Sequence, residues 1–311
     1  MKVYFDNAAT TAIDEEVLAA MMPYLTEHFG NPSTQYSFGR DTRAAVEEAR
    51  KTIAQLINAQ PSEIIFTSGA TEANNMAIKG AVNYLGVERI ITSPIEHHCV
   101  EYSVDFCRDH LQVEVAFVKI DEKGNVDLDD LENLLKSSAK KTLVTLMHAN
   151  NEIGTLLDIE KVGAFCKQYN VLFHSDTVQT FAHFPIDVQK MNVDFISGAA
   201  HKFHGPKGIG FLYMRKQNKV QSFIHGGGQE RGFRAGTENV YGIVGMAAAA
   251  KKAYANLEND RAYILELKNY FIAKLKEHFS DIDFNGNIDE RSLFTVLNVS
   301  FPPNDKSALL L

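Results

Sequence analysis

Tryptophan is absent from this 311-residue chain, cysteine occurs three times and proline eight times, and no uninterrupted apolar run is long enough to cross a bilayer. Cys99, Cys107 and Cys166 form no CxxC pair and no even disulfide framework, which fits a reducing, cytoplasmic setting. The opening "MKVYFDNAATT" has no long apolar h-region, so neither export nor a membrane partner is expected. Basic charge is also scarce. With a net charge of -8, a pI near 5.8 and no polybasic tract, the chain carries no surface that favours nucleic acid. GxxxxGKS/T and GxGxxG are missing, which removes the usual signatures of nucleoside triphosphates and dinucleotides. There is no internal repeat and no low-complexity segment.

What is present is a pattern of short β-rich runs alternating with helical ones. The runs are "EIIFTS" from residue 63, "RIITS" from 89, "VEVAFV" from 113, "TLVTLM" from 142, "VLFHS" from 171, "VDFIS" from 193 and "GIGFLYM" from 208. Helical patterns stand before and between them, among them "DTRAAVEEARKTIAQLIN", "GATEANNMAIKGAVNYLG", "DLDDLENLLKSS" and "DIEKVGAFCKQYN". The alternation predicts an α/β fold with a mostly parallel sheet and helices on both faces. After it, "TENVYGIVGMAAAAKKAYANLEND" and "AYILELKNYFIAKLKEHF" are expected as two long helices, and "LFTVLNVSF" as a fresh strand.

Open α/β sheets bind ligands at the carboxyl ends of their strands. The polar residues collected there are 68–71, 96–98, 148–152, 176–179, and His201 with Lys202. Lys202 falls in the tight connection "AAHKFHGPKG" between two core strands, where a lysine can be desolvated and its amine made nucleophilic; the alternative is an ordinary solvated charge. "TSGATE" puts Gly69, Ala70 and Thr71 at a strand-to-helix junction that suits a phosphate, or is simply a helix cap. Asp176 ends a buried strand, a costly place for a carboxylate unless a cation or strong donor meets it, with a cap as its own alternative. A pyridinium nitrogen is such a partner. An aspartate for that nitrogen and a lysine able to form an imine are the two protein groups that pyridoxal 5'-phosphate chemistry requires. HxxH from His201 to His204 lacks the HExxH pattern and straddles Lys202, so no metal is expected. HGGG at 225–228 is like a lipase oxyanion loop, but the chain has no GxSxG nucleophile elbow to accompany it.

"DNAATT", "GNPST", "TSGATEANNMAIKG", "EHH", "HANNEIG", "HSDTVQ", "HKFHGPKGIG" and "HGGGQERGFRAGTEN" together resemble the cysteine desulfurases of the NifS and IscS type. These belong to the aminotransferase class V branch of fold-type I pyridoxal phosphate enzymes. The resemblance runs in order from residue 3 to about 301 and implies removal of sulfur from L-cysteine, giving L-alanine and a persulfide for iron-sulfur cluster assembly or tRNA thiolation. It implies that Lys202 carries the cofactor and moves protons, that Asp176 meets the pyridine nitrogen, and that Gln179 donates to the phenolic oxygen. By the same resemblance His97 lies over the ring, Ala70, Thr71 and His201 form the phosphate site, and Asn151 touches cofactor and substrate carboxylate. Thr237 then reaches the phosphate bound by a second copy, so a homodimer is implied, with a sulfur-acceptor or scaffold protein as further partner. Other class V enzymes, such as a selenocysteine lyase or an aminotransferase, and a non-catalytic cofactor-binding interaction protein are the alternatives.

Two departures from the family pattern matter. Ala199 stands where a hydroxyl residue usually contacts the phosphate. The family's sulfur-accepting cysteine and substrate-pairing arginine are expected beyond "DKSALLL", so the chain is expected to bind cofactor yet release little sulfur. Cys107 and Cys166 are expected as small core residues, and Cys99, about 200° around a helix from His97, is expected to face away from it. The domain expectation is an N-terminal segment 1–15 associated with a small domain, a large cofactor domain 16–258, and the incomplete start of a small α+β domain at 259–311.

Overall fold

A computed structural model describes residues 2–301. In chain order the helices are α1 (Glu15–Thr26), α2 (Ser37–Leu56), α3 (Ala70–Leu85), α4 (His98–Leu111), α5 (Leu128–Lys136), α6 (Ile159–Gln168) and α7 (Val240–His278). The strands are β1 (Ile64–Thr67), β2 (Arg89–Thr92), β3 (Glu114–Phe117), β4 (Thr142–Thr145), β5 (Leu172–Asp176), β6 (Phe195–Ala199), β7 (Gly210–Met214), β8 (Asp283–Asn285) and β9 (Asn298–Ser300). The first seven strands form one sheet in the order β1-β7-β6-β5-β4-β2-β3, in which β7 alone runs antiparallel to its neighbours. The expected mixed, mostly parallel sheet is what forms.

Side chains along these strands alternate between two cores, as the pleat requires. Ile64 and Phe66 of β1 and Ile91 of β2 join α1, α2, α5, α6 and α7 on one face. Ile65 packs with Ala73 and Met76 of α3 on the other face, and Ile90 with Ile78 of α3 and Val104 of α4. Every residue of β1, β2, β4, β6 and β7 is buried, so these strands read in sequence as continuous apolar runs rather than alternating ones.

The two long helices expected after residue 236 are one. α7 runs 39 residues without a break, because nothing between "ANLEND" and "AYILEL" stops a helix: no proline, no glycine, and no side chain competing strongly enough for the backbone. Residue 258, the expected domain boundary, therefore falls inside α7. Beyond it, β8 and β9 pair antiparallel over Phe284 and Val299. Buried Lys268 of α7 donates to Ser292 Oγ at 2.8 Å and to the Leu293 carbonyl at 3.0 Å, tying the helix to the segment before β9.

Candidate active site

The carboxyl ends of β1, β2, β4, β5 and β6 open into one cavity of about 780 Å³. Its lining includes Ala70, Thr71, His97, Asn151, Asp176, Gln179, His201 and Lys202, eight of the nine residues expected from sequence. Thr237 is the exception: it lines a neighbouring cleft with Ser68, Gly208 and Arg234. Ala199 lies on the cavity wall.

Each residue is held by the element that ends beneath it. α3 begins at Ala70, and its N-cap, Gly69, supplies no side-chain acceptor, so first-turn N–H groups of the helix are left for a ligand. The backbone of Gly69 comes so close to β7 that a Cβ on Gly210 would lie 2.8 Å from the Gly69 Cα, so only glycine fits there. Lys202 closes a short 3-10 turn, Ala200–Lys202, between β6 and β7. Its Nζ donates to the carbonyls of Ala8 and, at 3.0 Å, Ala9. Burial lowers the Lys202 pKa against the opposing pull of Asp176, Asp6 and Glu152. Gln179 Nε2 also donates to the Ala8 carbonyl, at 3.1 Å, and His201 Nδ1 lies 3.2 Å from Thr10 Oγ1. The segment 6–10 thus forms one wall; nothing in "DNAATT" predicts these contacts, because only the fold brings it beside residues nearly 200 positions away.

Asp176 is the most constrained group. Oδ1 accepts from the Val178 N–H at 2.9 Å and Oδ2 from Asn74 Nδ2 at 2.7 Å, both neutral donors. Burial pushes its pKa up, against those two hydrogen bonds and the nearby His97 and Lys202. A buried carboxylate with lone pairs still open to the cavity fits a cationic ring nitrogen.

Cys99 does not face away from His97. Its Sγ lies 3.0 Å from His97 Nδ1 and accepts from Asn74 Nδ2 at 3.1 Å, and it lines the cavity. The expectation failed because it placed both residues on one helix. His97 is the N-cap of α4, with φ -61° and ψ 144°, and its ring turns back to accept from the Cys99 N–H at 3.1 Å. Burial pushes the Cys99 thiol up to about 11. Cys107 and Cys166 are core residues, as expected. The stretch after β9 in which the sulfur-accepting cysteine is expected lies outside the described residues.

The loop carrying Thr237 is pinned from below. Buried Glu230 accepts from Arg50 Nη1 at 2.6 Å, Arg50 Nη2 at 2.9 Å and the Phe66 N–H at 2.8 Å, joining the loop to α2 and β1. The Arg50 and Glu230 side chains are both 3 % exposed, so neither charge can be removed without stranding the other.

Residues 3–310 match the family described as aminotransferase class-V. The cysteine desulfurase IscS of Dictyoglomus turgidum is 46 % identical over 312 residues, covering all of this chain and 78 % of that protein. A solved structure of a NifS-like protein superposes with a TM-score of 0.93 at 39 % identity, over 99 % of this chain and 84 % of that one. A structure described as SspA in complex with cysteine gives a TM-score of 0.86 at 35 % identity, over 99 % and 86 %. On fold and sequence alike, the chain belongs to the aminotransferase class-V family and, within it, to the cysteine desulfurases.

Proposed function

We propose that this chain binds pyridoxal 5'-phosphate in the cavity through Lys202 and acts on L-cysteine, whose sulfur passes to the family's accepting cysteine thiolate as a persulfide while L-alanine is left, the persulfide serving iron-sulfur cluster assembly or tRNA thiolation. One observation carries the site assignment: the Lys202 amine, the Asp176 carboxylate and the open N-terminus of α3 line one cavity. When bound, the cofactor supplies an electron sink for the pair left by breaking the bond between substrate Cα and hydrogen.

The residues divide the remaining work. Lys202 Nζ, lowered in basicity by burial, would hold the cofactor and would take up and return the proton at substrate Cα. Asp176 keeps the ring nitrogen protonated, because a carboxylate with no cation of its own is stabilised by one. Gln179 Nε2 donates to the phenolic oxygen, and His97 covers the ring. Ala70 and Thr71, at the start of α3, hold the phosphate with His201, whose ring can donate to it from one nitrogen. Asn151 orients the substrate carboxylate.

The protein works as a cytoplasmic homodimer in which Thr237 completes the phosphate site of the other copy. Support comes from the position of Thr237 outside its own cavity and from the exposed aromatic side chains of Phe29, Tyr36 and Phe38. A sulfur-acceptor or scaffold protein takes the product sulfur. The N-terminal segment 1–15 and residues 259–311 belong to a small domain beside the cofactor domain of 16–258, with α7 shared between the two. The decisive experiment is borohydride reduction of cofactor-loaded protein followed by peptide mapping. The adduct is expected on Lys202 and absent from Lys202→Ala; an unchanged adduct on another lysine overturns the assignment.

A further inference from the structure

Beneath Asp176 runs a chain of side chains that touches neither the cavity nor solvent. Asn74, Thr145 and His174 are each 0 % exposed. Asn74, on α3, donates to Asp176 from Nδ2, and its Oδ1 lies 3.1 Å from His174 Nε2. His174 Nδ1 in turn lies 2.8 Å from Thr145 Oγ1, on β4.

The proton positions along this chain are fixed by its ends. A carboxylate only accepts, so the amide nitrogen of Asn74 must face Asp176 and its oxygen must face His174. That oxygen needs an N–H at Nε2. Burial lowers the His174 pKa to about 3, so the ring is neutral and carries one proton; with that proton on Nε2, Nδ1 is bare and accepts the Thr145 hydroxyl. Every donor then meets an acceptor. Turning the Asn74 amide over would set its carbonyl against the carboxylate and its NH₂ against the N–H of His174, two repulsive contacts without water to relieve them.

We propose that His174, locked by Thr145, is a positioning residue that holds the Asn74 amide towards Asp176 and thereby keeps that carboxylate ionised and aimed at the ring nitrogen of the bound cofactor. The inference rests on the assignment of Asp176 to the ring nitrogen. Burial drives Asp176 towards its neutral form, and a protonated Asp176 offers no negative charge to a protonated ring. The Asn74 and Val178 N–H groups oppose that drift, and the first is held in line by His174 Nε2–H on the other side of the amide.

The test compares affinities of the full chain for pyridoxal 5'-phosphate and for its 1-deaza analogue, in which CH replaces the ring nitrogen. The native chain is expected to prefer the natural cofactor. His174→Leu and Asn74→Leu are each expected to reduce that preference by about tenfold while the analogue binds within about threefold of native, since a hydrogen bond to a charged group is at stake. His174→Gln, whose amide nitrogen can replace Nε2–H, is expected to restore most of it. Thr145→Val, which keeps the ring but frees its tautomer, is expected to reduce the preference about threefold, so the chain stays testable if the leucine variant does not fold. An unchanged preference in His174→Leu or Thr145→Val, a loss as large in His174→Gln as in His174→Leu, or an equal loss for both ligands overturns the proposal. Failure of the underlying site assignment looks different: the native chain shows no preference, or Asp176→Asn retains it.

Discussion

A residue's role here depends on where its strand or helix stops, and Lys202 and Asp176 were legible for that reason. Each stands at or just after the end of an apolar run, and Lys202 also precedes the Gly205–Pro206 turn, so the strand ends could be read directly. Cys99 was not legible, because its position relative to His97 turns on whether His97 is the first residue of α4 or its cap, a difference of one residue that sequence does not resolve. Its thiol now borders the cavity, which makes its reactivity a fair test of the electrostatics. The attacking species in alkylation is the thiolate, and with the thiol pushed up to about 11 very little thiolate exists at neutral pH. Cys99 is expected to react with iodoacetamide at pH 7.5 at least about tenfold more slowly than an unperturbed thiol, and to speed up steadily towards pH 10. Peptide mapping of labelled protein measures this, and rapid labelling at neutral pH would show that the site stabilises a thiolate there. Asp176→Ala is expected to weaken pyridoxal phosphate binding by about tenfold or more, because on the proposed assignment the ring nitrogen loses its charge partner; equilibrium dialysis against free cofactor reads the change.

At the scale of elements, strands β1, β2, β4, β6 and β7 were legible to within a few residues because burial on both faces writes them as apolar runs. Helix α1 was not, since Pro23 lies inside it, and β8, at three residues, is too short to show a period. The ends of β2 and β4 are joined by Glu96, whose Oε1 accepts from Ser93 Oγ at 2.7 Å and from the Met147 N–H at 3.0 Å. Burial raises its pKa from 4.5 to about 8, so the folded protein keeps a proton that the unfolded chain releases. A group whose folded pKa is raised gives its full stabilisation below the unfolded pKa and loses it as pH rises through the folded one. Relative to Glu96→Gln, which cannot ionise, the native protein is therefore expected to lose stability between about pH 4.5 and 8 and to hold a constant difference above that. Urea melts of both proteins at intervals of pH follow the difference; a flat one means that Glu96 is ionised in the fold.

For the whole molecule, the proposed reciprocal use of Thr237 makes a sharp expectation. If it holds, Lys202→Ala and Thr237→Ala damage different halves of one composite site, so a mixed dimer contains one site with both residues intact. Unfolding and refolding the two variants together in equal amounts is expected to return about a quarter of sites to native cofactor affinity, whereas either variant alone returns none. Titration of the mixture with pyridoxal phosphate decides it, and no recovery means that Thr237 serves its own copy or neither. Assembly of this kind is proposed through resemblance, since a residue that completes a neighbour's site has no local pattern of its own. The long helix has a different consequence at this scale. With 39 residues rising about 1.5 Å each, α7 is a bar close to 60 Å in length, clamped at one end between α1, α2 and the sheet and at the other to the β8–β9 hairpin through Lys268. A bar held at both ends transmits angle rather than distance: tilting it by about 5° carries its far end about 5 Å, the size of a small substrate. The angle of the β8–β9 segment against α1 and α2 is thus geared to the bending stiffness of one helix, and a paired glycine at its exposed middle is the substitution that would take the gear out of mesh.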